Sequence, residues 1–425
     1  MKSNSKKKFT GAMVYDGGKF RPRDFSIDGG IVASFDKNDD SVEKIDAKGL
    51  YIFPGFADVH VHFREPGFSY KETIKTGSMA AARGGYTAVC AMPNLSPVPD
   101  DEKSILAEIE IIQRDAKIHV YPYGAITRGQ HGKRLADMYG MAPYAVAFSD
   151  DGHGVQSDEM MEKAMITAKK LGKVIAAHCE DERYVKGGVI NDGLYAKKHG
   201  LPGINTISEW GQISRDVGLL DKTGAAYHVC HVSTATSVGV IRRGKNEGYD
   251  ITCETAPHYL LKNEMMLEDD GRFKMNPPIR SEEDRKALIE GILDGTIDMI
   301  ATDHAPHTKE EKSKGLLGSL MGVSGLEAAF PTLYTGLVRT GIITLERLTE
   351  LMCTAPRKRF GLPPINLEVG ENADFTIIDL DRKFILHGDD FLSMGKVTVF
   401  EGEEVYGKVV YTAVGGRTAY DEGVL

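Results

Sequence analysis

The chain has 425 residues, 41% of them hydrophobic and 27% charged, enough for a large core and more than one domain at an ordinary globular composition. Its formal net charge of −9 disfavours broad nucleic-acid binding, which needs a basic surface, but leaves small anions open, since one arginine in a pocket serves them. No apolar run approaches the roughly 20 residues of a membrane span, and the five cysteines form no CxxC pair, so a reduced, cytoplasmic protein is expected.

In chain order, MKSNSKKKFTG carries lysines with no apolar stretch behind them and reads as a solvated tail rather than a secretory signal. Residues 9–56 are β-like, with turns at Gly17-Gly18 and Gly29-Gly30. Eight strand candidates follow: 56–62, 86–92, 118–124, 144–150, 174–179, 227–232, 250–255 and 298–303. Helical stretches intervene, among them YKETIKTGSMAAARGG, DEKSILAEIEIIQRDA and SDEMMEKAMITAKKLG, the last with Met160, Met161, Ala164, Ile166, Ala168 and Leu171 on one stripe. Eight strands each followed by a helix indicate an α/β fold with a closed (β/α)8 barrel over 57–365. An open doubly wound sheet lacks support, because no GxGxxG follows a strand. The last part, 366–425, is β-like again. The two ends, 1–56 and 366–425, are each too small for a core, and are expected to pair into one composite β domain beside the barrel.

Active sites of such barrels lie at the C-terminal strand ends. Strand one delivers His60, His62 and Arg64 there. Asn94 follows strand two, Asp150 and Asp151 end strand four, His178 ends strand five, His231 ends strand six and Asp303 ends strand eight. Residues i and i+2 of a strand share a face about 6–7 Å apart, so His60 and His62 can share one ion. Imidazole and carboxylate suit zinc and its first-row neighbours. Four histidines and two aspartates exceed one tetrahedral site and fit two metals with a hydroxide and one carboxylate between them. Counting by two does not choose between Asp150 and Asp151, because the strand is ending there. His228, Cys179 and Cys230 are read as packing that points away from the site. His153, His258 and His304 are assigned no metal bond; they are read either as orienting neighbours of the ligands or as structural residues.

The motifs DVHVHFREPG, AMPN, AFSDDG, AHCED, HVCHVST, KMNPPIR and ATDHAPH, in that order, closely resemble the bacterial dihydroorotases of the amidohydrolase superfamily. The resemblance runs over nearly the whole chain. It implies a two-zinc hydrolase that interconverts dihydroorotate and N-carbamoyl-aspartate in pyrimidine biosynthesis. It assigns His60, His62 and Asp303 to one metal and His178 and His231 to the other. Many superfamily members bridge the metals with a carboxylated lysine on strand four; this chain has none there, and resembles the subgroup with an aspartate, Asp151, in that place. Asn94, Asn276, His307 and Gly322 match the family's substrate contacts.

The chemistry follows from the residues. Asp303 is placed to act as ligand and proton shuttle. Arg64 offers a charged fork for the substrate's free carboxylate; a hydantoin or dihydrouracil lacks that group and would leave a desolvated arginine unpaired. The segment 307–325 opens with charges that read as solvated and carries Gly315, Gly318, Gly322 and Gly325, which suit a lid. Two other readings compete: a related cyclic amidase, against which Arg64 and the missing lysine both count, and an inactive partner of an aspartate carbamoyltransferase, against which the full ligand set counts. A homodimer is expected from the commonest symmetry, and association with an aspartate carbamoyltransferase is compatible with an active site.

Overall fold

The computed structural model describes residues 6–35 and 41–425. The first five residues of the expected tail, and 36–40 of the β-rich stretch, lie outside the described residues. The remainder of that tail is not a solvated arm: Lys7–Asp16 forms strand β1. It turns at Gly17 and Gly18, whose φ of 55° and 85° suit a tight hairpin, into the antiparallel β2 (Lys19–Asp28). Then come β3 (Ile31–Ala33), β4 (Glu43–Asp46) and β5 (Tyr51–Pro54).

The barrel strands are β6 (Phe56–Val61), β7 (Tyr86–Ala91), β8 (His119–Pro122), β9 (Gly124–Ala125), β10 (Phe148–Ser149) and β11 (Ile175–Ala177). A parallel two-strand ribbon, β12 (Ile190–Asn191) with β13 (Gly203–Ile204), interrupts them. They resume with β14 (Tyr227–Val229), β15 (Ile251–Thr255) and β16 (Met299–Ile300). All pair in parallel, in the runs β6-β7-β8 and β9-β10-β11-β14-β15-β16. Strand three is split at Tyr123: β8 pairs β7, and β9 pairs β10. The ring closes where Val61 bridges His304 and the His62 amide donates to the His304 carbonyl at 2.8 Å. Asp58, fully buried on β6, also pins that seam, accepting from the Thr302 amide at 3.0 Å.

Small residues fill much of the barrel interior, among them Ala57, Ala88, Ala147, Ala176 and Ala301, with larger members that include Met92, Tyr123, Met299 and Phe360. The outer helices start on side-chain caps, such as the reciprocal Thr73–Thr76 and Asp101–Ser104 boxes. On helix Asp158–Leu171 the buried stripe is Met161, Ala164, Met165 and Ala168. Ile166, expected on it, is exposed. The i, i+3, i+4, i+7 spacing from Met161 accounts for the difference.

Both chain ends contribute to one eight-stranded sheet. After the barrel come β17 (Phe375–Ile385), β18 (Glu404–Val414) and β19 (Arg417–Asp421). The order is β19-β18-β17-β5-β1-β2-β3, with β4 also on β1. Phe9, Phe25 and Phe375 form its aromatic centre, Phe25 and Phe375 with ring centroids 4.9 Å apart. Phe53 of β5 packs on Phe330 at 5.5 Å, and Phe330 stacks on Phe56 of β6 at 5.3 Å. This apolar contact seats the sheet against the barrel wall.

Candidate active site

At the C-terminal strand ends four imidazoles surround one carboxylate. Asp151 Oδ1 lies 3.2 Å from His60 Nε2 and 3.5 Å from both His178 Nδ1 and His231 Nε2, while its Oδ2 lies 3.3 Å from His62 Nε2. Asp303 Oδ1 closes the group, 3.1 Å from His62 Nε2 and 3.6 Å from His60 Nε2. Asp150 is elsewhere: it accepts from the Ile126 and Thr127 amides at 2.8 and 3.0 Å and from the Thr127 hydroxyl. Strand three therefore takes Asp150, and Asp151 faces the histidines.

Three site residues hold a left-handed backbone: Arg64, His231 and Asp303, with φ of 61°, 34° and 47°. Such conformations cost about 1–3 kcal/mol each and are retained where surrounding structure enforces them. The turn at His231 also breaks the strand's alternation. Counting back from His231 sends His228 to the outer face; in the structure His228 and Cys230 lie inside the barrel, and both are buried. Cys179 does point outward, with its Sγ 3.2 Å from the Tyr227 hydroxyl.

His60 and His62 are held from behind, while His178 Nδ1 and His231 Nε2 lie 2.8 Å apart. His62 Nδ1 is 2.8 Å from Asn94 Oδ1. His60 Nδ1 is 2.7 Å from Glu254 Oε1, and Glu254 Oε2 is 3.1 Å from His228 Nε2. A carboxylate only accepts, so both imidazoles donate to it. His228 Nδ1 then accepts from the Thr252 hydroxyl at 2.8 Å. Glu180 Oε1 accepts from Asn276 Nδ2 at 2.8 Å, and its Oε2 is 3.8 Å from His178 Nε2. Sequence reasoning missed Glu254 and Glu180. Glu254 lies within the strand candidate 250–255 and Glu180 in the AHCED motif, and their signal was a carboxylate in the layer below the histidines or just beyond one.

The electrostatics are those of a mutually compensated cluster. Burial pushes the Asp151 carboxyl up, but His60, His178 and His231 outweigh it and hold it well below the usual carboxylate range. Burial opposes ionisation of Asp303 too, and His62 and His60 overcome it. Even so, His60 Nε2, Asp151 Oδ1 and His178 Nε2 are buried with no hydrogen-bond partner. Buried polar atoms are ordinarily paired. Converging unpaired nitrogen and oxygen donors are the chemistry of a divalent-metal site. Ligand atoms of His60, His62 and Asp303, and of His60, Asp151 and His231, lie within 4.8 Å of one another.

A cavity of about 250 Å³ opens over this cluster and is bordered by Arg64, Asn94, Asn276, His307 and Gly322. Arg64 is buried at its wall, and among the described residues its hydrogen bond is from Nε to the Pro306 carbonyl at 3.4 Å. His307 is neutral, its pKa lowered to about 3 by burial and by the nearby Arg64 and Lys71. Both its nitrogens are engaged: Nε2 donates to the Met321 carbonyl at 2.8 Å and Nδ1 accepts from Lys71 Nζ at 3.1 Å. Gly322 has φ 128°, and a Cβ there would meet the Ala305 carbonyl at 2.6 Å. His304 turns from the cavity toward Glu72, 3.5 Å away, and His258 is buried without a partner for Nε2. His153 is exposed.

The segment after strand eight is folded over this rim. Lys309–Lys312 is a helical turn with a Thr308–Glu311 capping box, and Gly315–Gly318 is another turn. Lys312, expected in solvent, is buried, its Nζ donating to the Lys274 and Leu320 carbonyls at 2.8 and 2.7 Å. Glu311 pairs with Lys71 at 3.1 Å. Among the described residues no helix is long and apolar enough to cross a membrane.

Comparison with known proteins completes the picture. Residues 49–237 match the family model described as "Dihydro-orotase-like". A dihydroorotase of Fusobacterium nucleatum is 47% identical over 405 residues, covering 95% of each chain. One from Geobacillus sp. is 50% identical over 91% of each chain. One from Bacillus licheniformis is 46% identical over 98% of each. Among solved structures, L-hydantoinase (dihydropyrimidinase) of Arthrobacter aurescens superposes with a TM-score of 0.86 at 27% identity, over 99% of this chain and 97% of that one. D-hydantoinase of Thermus sp. gives 0.85 at 24% identity over 98% and 96%, a likeness of fold.

Proposed function

The chain belongs to the dihydroorotase family, and from that premise we propose that it opens and closes the cyclic amide of (S)-dihydroorotate, giving N-carbamoyl-L-aspartate in pyrimidine biosynthesis, with two zinc ions per chain. The observation that carries the metal reading is the set of four imidazoles and two carboxylates converging on unpaired buried atoms around Asp151. His60, His62 and Asp303 would hold one ion and His178 and His231 the other, with Asp151 between them. When bound, the ions supply Lewis acidity, lowering the pKa of water toward ~7 and polarising the amide carbonyl.

The chain's own residues do the rest. Arg64 receives the substrate carboxylate in a buried, bidentate pairing. Asn94, Asn276 and Gly322 border the ring, and His307, locked neutral, shapes the wall beside Arg64. Asp303 takes the proton of the attacking water and delivers it to the ring nitrogen as the C–N bond breaks; ring closure runs the same transfer backwards. The segment 307–325 covers the cavity mouth and limits water entry. A cytoplasmic location fits five buried cysteines with no disulfide. A homodimer, and association with an aspartate carbamoyltransferase, are read by sedimentation and co-purification.

The solved structures above carry hydantoinase names, and the competing reading is a hydantoin- or dihydrouracil-opening enzyme. The buried Arg64 fork disfavours it, since those rings bring no carboxylate. The deciding experiment is turnover of dihydroorotate, dihydrouracil and hydantoin by the purified chain, with metal counted on the same sample. Dihydroorotate alone, with about two metals per chain, is expected; turnover of hydantoin or dihydrouracil instead would overturn the reading.

A further inference from the structure

Strand seven supplies none of the proposed metal ligands, yet its residue Glu254 reaches into the barrel beneath His60. Its carboxylate is buried and accepts from three groups: the His60 imidazole on β6 at 2.7 Å, the His228 imidazole on β14 at 3.1 Å and the His231 backbone amide just past β14 at 3.4 Å. The chain of bonds continues through His228 to Thr252, which lines a separate cavity of about 490 Å³ at the other end of the barrel.

Two features separate this carboxylate from an ordinary buried polar bridge. First, among the described residues its charged-group contacts are imidazoles only; no lysine or arginine pairs with it. A buried carboxylate without a cation is costly. Second, the nitrogen of His60 on the far side, Nε2, is buried, faces Asp151 and Asp303, and has no hydrogen-bond partner. Donation of Nδ1–H to Glu254 makes Nε2 the nitrogen that faces the two aspartates and the one an ion would take. Of the four imidazoles, His60 alone has its second nitrogen hydrogen-bonded to a carboxylate outside the proposed ligand set; His62 is backed by the neutral Asn94 amide. His60, Cys230 and Glu254 also bring ligand atoms within 4.8 Å of one another, but an ion there would have to break the 2.7 Å His60–Glu254 bond.

We propose that Glu254 is a positioning residue of the metal centre: it locks His60 in the ligating tautomer and supplies the buried negative charge that retains a divalent ion on His60 Nε2. This rests on the metal-centre reading above. The anion is compensated through the imidazole, by the ion on its opposite nitrogen, and carboxylate-backed ligation of this kind typically changes metal affinity by about 10- to 100-fold.

The test measures zinc(II) affinity of the full chain by chelator competition, for wild type and Glu254→Gln, together with thermal unfolding of both after metal removal. The glutamine is expected to weaken zinc binding by about 10- to 100-fold, with the metal-free chain unfolding no earlier than wild type. Unchanged zinc affinity with earlier metal-free unfolding would mean a structural bridge only and would overturn the proposal. Should Glu254→Gln not fold, Glu254→Asp carries the test: it withdraws the carboxylate by one methylene and is expected to lose affinity in the same direction, and wild-type affinity there overturns the proposal. A wild-type chain that binds no zinc overturns the metal-centre reading and this inference with it; a wild type that binds, beside a variant that binds equally, overturns this inference alone.

Discussion

Asn94 Oδ1 accepts a hydrogen bond from His62 Nδ1 at 2.8 Å while the same side chain borders the cavity. One residue thus orients an imidazole and faces the cavity. Asn94→Ala is expected to raise KM and to weaken zinc retention by roughly tenfold, the lower end of what loss of an orienting partner costs. Asn94→Asp keeps an acceptor for His62, so it should restore metal retention but not KM, because its charge repels the substrate carboxylate. Chelator competition and steady-state kinetics on the two variants separate the roles; restoration of both by aspartate would remove Asn94 from the substrate.

Asp303 Oδ1 lies 3.1 Å from His62 Nε2, and His62 and His60 hold its carboxyl below the usual carboxylate range against the effect of burial. Asp303→Asn keeps an oxygen for metal ligation and loses the proton acceptor. It is expected to lower kcat by about 10²–10⁴-fold while much of the metal stays bound, read as metal per chain after gel filtration. Near-normal kcat would exclude the shuttle.

Arg64 has a buried guanidinium with most of its donors unspent on the protein. Arg64→Ala is expected to raise KM for dihydroorotate by roughly 30-fold or more, since truncating one partner of a buried charge pair costs about 2–5 kcal/mol. Arg64→Lys should recover little, having a point charge in place of a planar fork. The same variant should leave metal content unchanged, and an unchanged KM would remove the main physical reason for preferring an anionic ring.

Lys312 is lowered by burial to about 7, with Lys274 adding to the shift. In the unfolded chain a lysine titrates near 10.4, so between these values the unfolded state binds the extra proton. Stability contributed at this position therefore rises as pH increases from about 7 to about 10, and is lowest below 7. Proteolysis within 307–325 is expected to be slower at pH 9 than at pH 7, by a margin that disappears in Lys312→Met. A pH-independent wild-type rate would place the lysine in solvent.

The barrel was legible because its strands are apolar runs of the right length between amphipathic helices, and strand ends such as His178 and Asp303 could be read from their motifs. What escaped has local causes. Period-two counting carried through His231 fails, since its φ of 34° resets the face, and that concealed His228 and, with it, Glu254. Asp150 and Asp151 stand at the end of a two-residue strand, where only the Thr127 loop decides which turns outward. The charged run at 309–314 suggested solvent, but the Lys312 stem packs beneath two carbonyls, as long cationic side chains can when their heads are capped. The turn pairs Gly17-Gly18 and Gly29-Gly30, by contrast, announced themselves, because few other residues take positive φ twice in succession.

Strand β5 lies between β1 and β17, and roughly 320 residues separate Pro54 from Phe375. At about 5–20 residues per second of synthesis, the amino-terminal strands wait roughly 15–60 s on the ribosome before the partner for the free edge of β5 is made. Throughout that interval Ile52 and Phe53, both fully buried in the finished molecule, have an open strand edge beside them, and open edges invite pairing with other chains. Slowing translation of the barrel, or cutting the gene before β17, should therefore divert nascent chains toward chaperones and inclusion bodies, although every residue of the histidine–aspartate cluster would already have been made.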